Sequence, residues 1–234
     1  MKIQKIKLYH YPATRSARVK WVLHELLDDK FEVEIVPLYE GAQYKEDYLN
    51  KNPFHCVPTL EFTQADGEVI RMIESGAMLA LLVDAFPEKK LAPPAHEISP
   101  QRIDYLQMLH FGVTTMDMML WQIRVHTHLL PSAERDDRTV TRYREKFITE
   151  VEPLLKSRLE DAQFICGGEF SGADCVIAHN VMWARNYQMC ADKVFKKYML
   201  RVARRPAFRS AFSDANEFTV EIPEGKTTSN KFTG

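Results

Sequence analysis

The sequence predicts an α/β domain followed by an all-helical domain, and three observations carry that expectation. A strand–helix–strand pattern opens the chain, a hairpin and a helix follow, and only helical periodicity is found after a proline-rich stretch. From Ile3 to Tyr11, β-branched and aromatic residues alternate with Lys and Gln, which is a strand pattern. The period then changes: Val19, Val22, Leu23 and Leu26 fall at i, i+3, i+4 and i+7, so a helix is expected from about Thr14 to Asp28 with one buried stripe. Phe31 to Val36 alternates again and ends at Pro37, giving a second strand that must lie parallel to the first. Tyr44 to Leu49 reads as a short helix or loop, and Asn52-Pro53 as a turn. Val57 to Phe62 and Val69 to Ile73 form a hairpin about the turn Ala65-Asp66-Gly67-Glu68. Ser75 to Phe86 closes this half as a helix with Ala77, Met78, Leu81, Leu82 and Ala85 on its apolar side.

From Phe86 through Pro100 the chain holds four of the twelve prolines, which suits a linker. Beyond it, helical patterns cover roughly Pro100–Leu129, Arg138–Asp161, Ala173–Gln188 and Lys193–Ala203, with a short one near Phe208. From Ser213 onward the pattern dissolves into a polar tail. The expected division is therefore 1–86 for the α/β domain, 87–98 for the linker, 99–213 for the helical domain and 214–234 for the tail.

Composition narrows the functional classes. At 45% hydrophobic and 27% charged residues the chain has the balance of a globular protein. Thirty-one basic residues against 32 acidic ones leave a net charge of −1, so no global field favours nucleic acid or an anionic membrane. The longest nearly apolar run, Ala77 to Val83, is far shorter than the roughly 20 residues of a membrane span, and a signal-peptide core is not seen. A soluble, cytoplasmic protein is expected. Cys56, Cys166, Cys175 and Cys190 show no metal spacing and are expected as free thiols, and His110, His126 and His128 form no zinc pattern. No metal site is expected.

Three points offer special backbone. The first is the strand-to-helix turn Tyr11-Pro-Ala-Thr14-Arg15-Ser16, where Thr14 is a plausible cap and Arg15, Arg18 and Lys20 crowd the positive end of the helix. Those charges oppose the helix dipole and together suggest an anion site. The second is Val57-Pro58, a proline where a strand begins, which exposes the neighbouring amide and carbonyl. The third is Glu74-Ser75-Gly76, a cap before an apolar helix. In the helical half, Ser171 and Asp174 have the spacing of a capping box and read as structural.

The order of these elements, with Val57-Pro58-Thr59-Leu60 before Glu74-Ser75 and then Phe170-Ser171-Gly-Ala-Asp174, resembles the cytosolic glutathione transferases over about residues 3–213. The stretch from Thr14 to Trp21 looks most like the serine-type bacterial and fungal members. The resemblance implies a thioredoxin-like first half that binds glutathione and a helical half that lines a pocket for an electrophile. It implies that Glu74 and Ser75 hold the γ-glutamyl end, that the Val57 backbone beside a cis-Pro58 pairs with the cysteinyl part, and that His55 or Lys45 meets the glycine carboxylate. Ser16 is the expected thiolate-stabilising hydroxyl, with Tyr11 and Thr14 as alternatives and Arg15 as an electrostatic helper. Tyr105, Met108 and Phe111 are expected near the electrophile, and Met116 is a further candidate. The absence of a cysteine in the turn argues against the branches that form a mixed disulfide there. The implied activity is addition or substitution of the glutathione thiolate on a small hydrophobic electrophile, by a homodimer. The alternatives are a glutathione-dependent isomerase, lyase or dehalogenase, or a non-catalytic binding or assembly module.

Overall fold

The structure is a computed structural model and describes residues 3–224. Four strands form one mixed sheet in the order β2-β1-β3-β4. The strands are β1 (Ile3–His10), β2 (Glu32–Ile35), β3 (Thr59–Gln64) and β4 (Val69–Met72). β1 and β2 are parallel, joined by helix α1 (Ser16–Leu27), while β1–β3 and β3–β4 are antiparallel. Alternation along β1 divides the sheet's two faces. Ile6 and Leu8 point into the main core, and Tyr9 points the other way into a small cluster with Val36, Tyr48 and Val57. α2 (Glu46–Leu49) supplies Tyr48 to that cluster, and α3 (Ser75–Ala85) follows β4.

α1 departs from the one-stripe expectation. Every residue from Ser16 to Leu23 is buried, because the helix lies between the sheet and the helical half. Val19, Val22, Leu23 and Leu26 belong to the main core. Trp21 projects into a ring cluster with Phe170, Phe208 and Phe212 at centroid distances of 5.5, 4.9 and 6.0 Å.

After Pro100 the described residues hold helices and one isolated bridge, Phe164 with Gly167. A continuous helical stretch comprises α4 (Pro100–Phe111), a wider π-type turn over Gly112–Met116, α5 (Asp117–Arg124) and a second wide turn over Val125–Leu129. α6 (Asp137–Lys146) runs through another wide turn into α7 (Glu152–Asp161). α8 (Gly172–Arg185), α9 (Lys193–Val202) and α10 (Pro206–Ala211) complete the half. The close approach of α4 to α8 needs Gly112, since a Cβ there would stand 2.5 Å from Val176 Cγ1. α8 begins with the expected capping box: the Ser171 side chain takes the Asp174 backbone amide and the Asp174 side chain takes the Ser171 amide at 2.9 Å. Asp174 also accepts from the Ile165 amide and the Tyr198 hydroxyl, so it ties α9 and the preceding loop to the helix start. Of the polar tail, residues up to 224 are described; 225–234 lie outside the described residues.

Candidate functional site

Strand register brings three of the predicted segments to one end of the sheet. Tyr9 pairs with Thr59, and Leu60 pairs with Met72. The end of β1, the residues just before β3 and the residues just after β4 are therefore neighbours. The turn Tyr11–Arg15, the Val57-Pro58 dipeptide and the Glu74-Ser75 helix start consequently face a common space. β2 ends there too, since Ile35 pairs with His10, and it delivers Tyr39 edge-on to Tyr11 at 5.6 Å.

The Val57-Pro58 bond is cis. Among the described residues the Val57 amide and carbonyl have no hydrogen-bond partner, although Val57 itself is buried. The preceding Cys56 carbonyl is fully engaged by the Tyr48 hydroxyl at 2.7 Å and the Asn52 amide at 2.8 Å. Burial raises the Cys56 thiol, while Glu74 and Arg15 act on it with opposite signs. At α3, Glu74 adopts φ 74° and ψ 103°, a backbone region that residues with a Cβ rarely enter. Neither Glu74 nor Ser75 makes a side-chain cap bond, which corrects the expected capping role. The first-turn amides and the buried Ser75 hydroxyl are left open instead.

The strand-to-helix turn differs from expectation. Arg15, not Thr14, occupies the cap position of α1, and it makes no side-chain cap bond. Ser16 is wholly buried and its hydroxyl is enclosed. It lies 2.6 Å from His10 Nδ1, 2.8 Å from Thr14 Oγ1 and 3.1 Å from the Tyr11 amide. His10 in turn meets Asp214 Oδ2 at 3.1 Å through Nε2. Because the carboxylate must accept from Nε2, Nδ1 is left to accept the Ser16 proton. Burial lowers the His10 pKa and keeps the ring neutral. The hydroxyl expected to face a thiolate is thus committed to holding the turn, a placement that only the arrival of His10 and Asp214 explains. Thr14, half-buried, donates to the Tyr11 carbonyl at 2.8 Å. The Tyr11 hydroxyl has no hydrogen-bond partner among the described residues, and burial raises its pKa, so it stays protonated at neutral pH.

The crowded cations at the α1 start are balanced from the helical half. Asp117 accepts from Arg15 Nε at 2.7 Å and from Arg18 Nη1 and Nη2 at 3.0 and 2.9 Å. Burial alone would raise the Asp117 carboxyl, but the charges of Arg18 and Arg15 overcome it and hold it at about 2. Arg18 also meets His179 Nδ1 and Asn180 Oδ1, each at 2.9 Å. Burial and then the Arg18 charge press His179 down to about 3, so it is neutral. Lys20 lies elsewhere, on Asp214 at 2.5 Å. Two guanidiniums against one carboxylate leave a net positive charge at the turn.

Three further expectations need correction or placement. Tyr105 and Met108 are core residues, 0% and 2% exposed. Tyr105 packs where a Cβ on Gly172 would touch its hydroxyl at 2.9 Å, and it lies three helical turns before Asp117. Phe111 is half-buried against the core and borders the same helix. His55 is exposed and its ring lies 4.8 Å from that of Tyr44, while Lys45 is exposed at the start of α2. The residues that do reach the site from the helical half are Asp117, Trp121 and Arg124 on α5 and Trp183 on α8, with Tyr187 two residues past the end of α8. On α5 the spacings of four and three residues mark a single helix face, a signal present in the sequence. Among the described residues no cluster of His, Cys, Asp and Glu could hold a metal ion, and no helix is long and apolar enough to cross a membrane.

Comparison with known proteins agrees with this geometry. Residues 8–90 match the glutathione S-transferase N-terminal domain family. The chain is 31% identical over 109 residues to glutathione S-transferase D7 of Anopheles gambiae, a match spanning 47% of each protein. It is 25% identical over 213 residues to glutathione S-transferase GstA of Escherichia coli O157:H7, covering 89% of this chain and 98% of that one. Its fold matches a sphingomonad glutathione S-transferase solved in complex with glutathione, with a TM-score of 0.73, 25% identity and coverage of 90% and 98%. Residues 8–90 thus form a glutathione S-transferase N-terminal domain, and the order of strands and helices together with these relatives supports a glutathione S-transferase family member.

Proposed function

We propose that this protein binds glutathione across the end of the sheet and transfers its thiolate to a small hydrophobic electrophile. The observation that carries the reading is the Val57 backbone, whose amide and carbonyl have no partner beside a cis-proline and stand between the open α3 start and the cationic α1 turn. In this reading the Val57 amide and carbonyl pair with the cysteinyl residue of the tripeptide. Ser75 and the first-turn amides of α3 take the γ-glutamyl carboxylate, and Glu74 takes its ammonium group. Lys45 or His55 takes the glycine carboxylate. The thiol then lies over the turn. A free thiol has a pKa near 8.5, so a nearby cation and a donor are needed to hold it as thiolate at neutral pH. Arg15 supplies the charge, and Tyr11, with its uncommitted hydroxyl, supplies the donor. Ser16 positions the turn.

Calorimetric titration with glutathione and an assay with 1-chloro-2,4-dinitrobenzene test this. Binding that weakens at least tenfold in Ser75→Ala, with turnover lost in Tyr11→Phe but not in Thr14→Val, is the expected pattern. Failure of the unaltered protein to bind glutathione would sink the reading. A second reading, glutathione binding without transfer, is favoured only by the enclosure of Ser16; tight binding with no turnover on halides, epoxides or enones selects it. We also propose a homodimer, supported by the exposed apolar side chains Phe54, Ile70, Leu81 and Ile103. A monomeric mass in sedimentation equilibrium refutes that.

A further inference from the structure

Arg15 is held on three sides and open on the fourth. Its Nε donates to Asp117 Oδ2 at 2.7 Å. Its guanidinium carbon stands 5.0 Å from the Trp121 ring centroid and 5.1 Å from that of Trp183. The side chain is 31% exposed, and among the described residues its two Nη groups have no hydrogen-bond partner. A guanidinium fixed through Nε presents its Nη pair in the fork geometry that matches a carboxylate.

The surroundings carry charge in excess. Asp117 is shared between Arg15 and the buried Arg18, and the neighbouring His179 is neutral. Arg124, three residues beyond Trp121 on the same face of α5, donates to the Tyr39 hydroxyl at 3.3 Å and stands 5.2 Å from the Phe218 ring. No carboxylate pairs with it among the described residues. Trp121 is 38% exposed. Cationic forks set among aromatic rings at the opening where the thiol would lie describe a site for a flat ring bearing an acid.

We propose that the electrophile this protein takes is an aromatic acid, its carboxylate received by the Nη pair of Arg15 and its ring laid against Trp121, with Arg124 adding charge. The proposal rests on the transferase reading for the reacting step. In that step the glutathione sulfur bonds to the ring carbon bearing a halide, and the halide leaves with the electron pair of the broken bond, so no oxidant or reductant is required.

The test compares 4-chloro-3-nitrobenzoate with 4-chloro-3-nitrobenzamide, which has the same shape without the charge, at saturating glutathione and after subtraction of the uncatalysed rates. We expect kcat/KM at least tenfold higher for the acid, the size of a bidentate guanidinium–carboxylate contact. Arg15→Gln collapses the acid-to-amide ratio at least tenfold whatever it does to the shared rate. Arg124→Gln, which breaks no ion pair, lowers it about threefold. A ratio that both variants leave within twofold of the unaltered protein overturns the proposal. A rise in the KM for glutathione with an unchanged ratio also overturns it, by assigning Arg15 to the tripeptide. A second measurement, quenching of tryptophan fluorescence by 3-nitrobenzoate and 3-nitrobenzamide without glutathione, separates the two readings. If neither halide turns over yet the acid binds at least tenfold more tightly and loses that preference in Arg15→Gln, the transferase reading fails and the acid site stands. Equal binding of acid and amide overturns the acid site.

Discussion

Replacing Asp117 by Asn removes one buried charge and leaves two guanidiniums without compensation. Arg18 is fully buried, and it has donated two hydrogen bonds to the lost carboxylate. Breaking one partner of a buried ion pair typically costs about 3–5 kcal/mol, and about 3 kcal/mol is expected here because Asn still accepts one hydrogen bond. The pH dependence supplies a second number. The carboxyl falls from 3.8 to about 2 on folding, which at about 1.36 kcal/mol per pH unit corresponds to about 2 kcal/mol of stability. A group whose pKa is depressed by folding stabilises fully above its unfolded value and loses that contribution as the pH falls toward the folded one. The contribution is therefore complete at pH 6, reduced by about 1 kcal/mol at pH 3 and lost near pH 1. Urea denaturation of both proteins at pH 7, 5 and 3 reads both effects, with Asp117→Asn about 3 kcal/mol less stable at pH 7 and the gap narrowing by about 1 kcal/mol at pH 3. A gap below 0.5 kcal/mol at pH 7, or a gap that does not narrow in acid, would refute the reasoning.

Other outcomes follow from the same contacts. Ser16→Ala leaves His10 Nδ1 and the Tyr11 amide without a partner, so denaturant titration is expected to show a loss of about 1–3 kcal/mol; a loss confined to turnover would show that the hydroxyl serves the reaction and not the turn. Gly112→Ala drives a Cβ to 2.5 Å from Val176 Cγ1 on a buried, branched side chain, with an expected cost of about 1–3 kcal/mol that Val176→Ala recovers in part. Without such recovery, the clash is not the cause. Trp21→Ala empties the centre of the Phe170, Phe208 and Phe212 cluster and is expected to cost about 3–5 kcal/mol in a single thermal transition. Two separate transitions would show that α1 does not bind the two halves into one unit.

Elements whose pattern is local were legible in the sequence. The stripe Val19-Val22-Leu23-Leu26, the hairpin turn at Asp66-Gly67 and the Ser171–Asp174 box depend on neighbours within a few residues, and each appears where the spacing puts it. The positions of special backbone were legible for a related reason, since Val57-Pro58 and Glu74-Ser75 are marked by unusual residue chemistry, and the first carries a cis bond and the second a positive φ at Glu74. The roles of hydroxyls and charges were not. Whether Ser16 faces a ligand depends on His10 and on Asp214, which lies 204 positions from His10. Whether Arg15 and Arg18 are free depends on Asp117, about a hundred positions away. Tyr105 and Met108 were misplaced because a long amphipathic helix gives the same apolar periodicity in the core and beside a pocket, and only the packing of α8 onto α4 separates the two.

The wide turn over Gly112–Met116 sets an angle as well as a path. Each residue advances an α-helix by about 100°, and a π-type turn accommodates one extra residue. Everything on α5 is thereby rotated by more than a quarter-turn relative to an uninterrupted helix. The row Asp117, Trp121 and Arg124 meets Arg15, Arg18 and Tyr39 because of how many residues precede it, not only because of what they are. Removing a single residue from the turn would leave every side chain of α5 intact and swing the whole row off the site, and an insertion two positions later would bring it back. Chain length at one turn thus acts as a dial on the phase of α5.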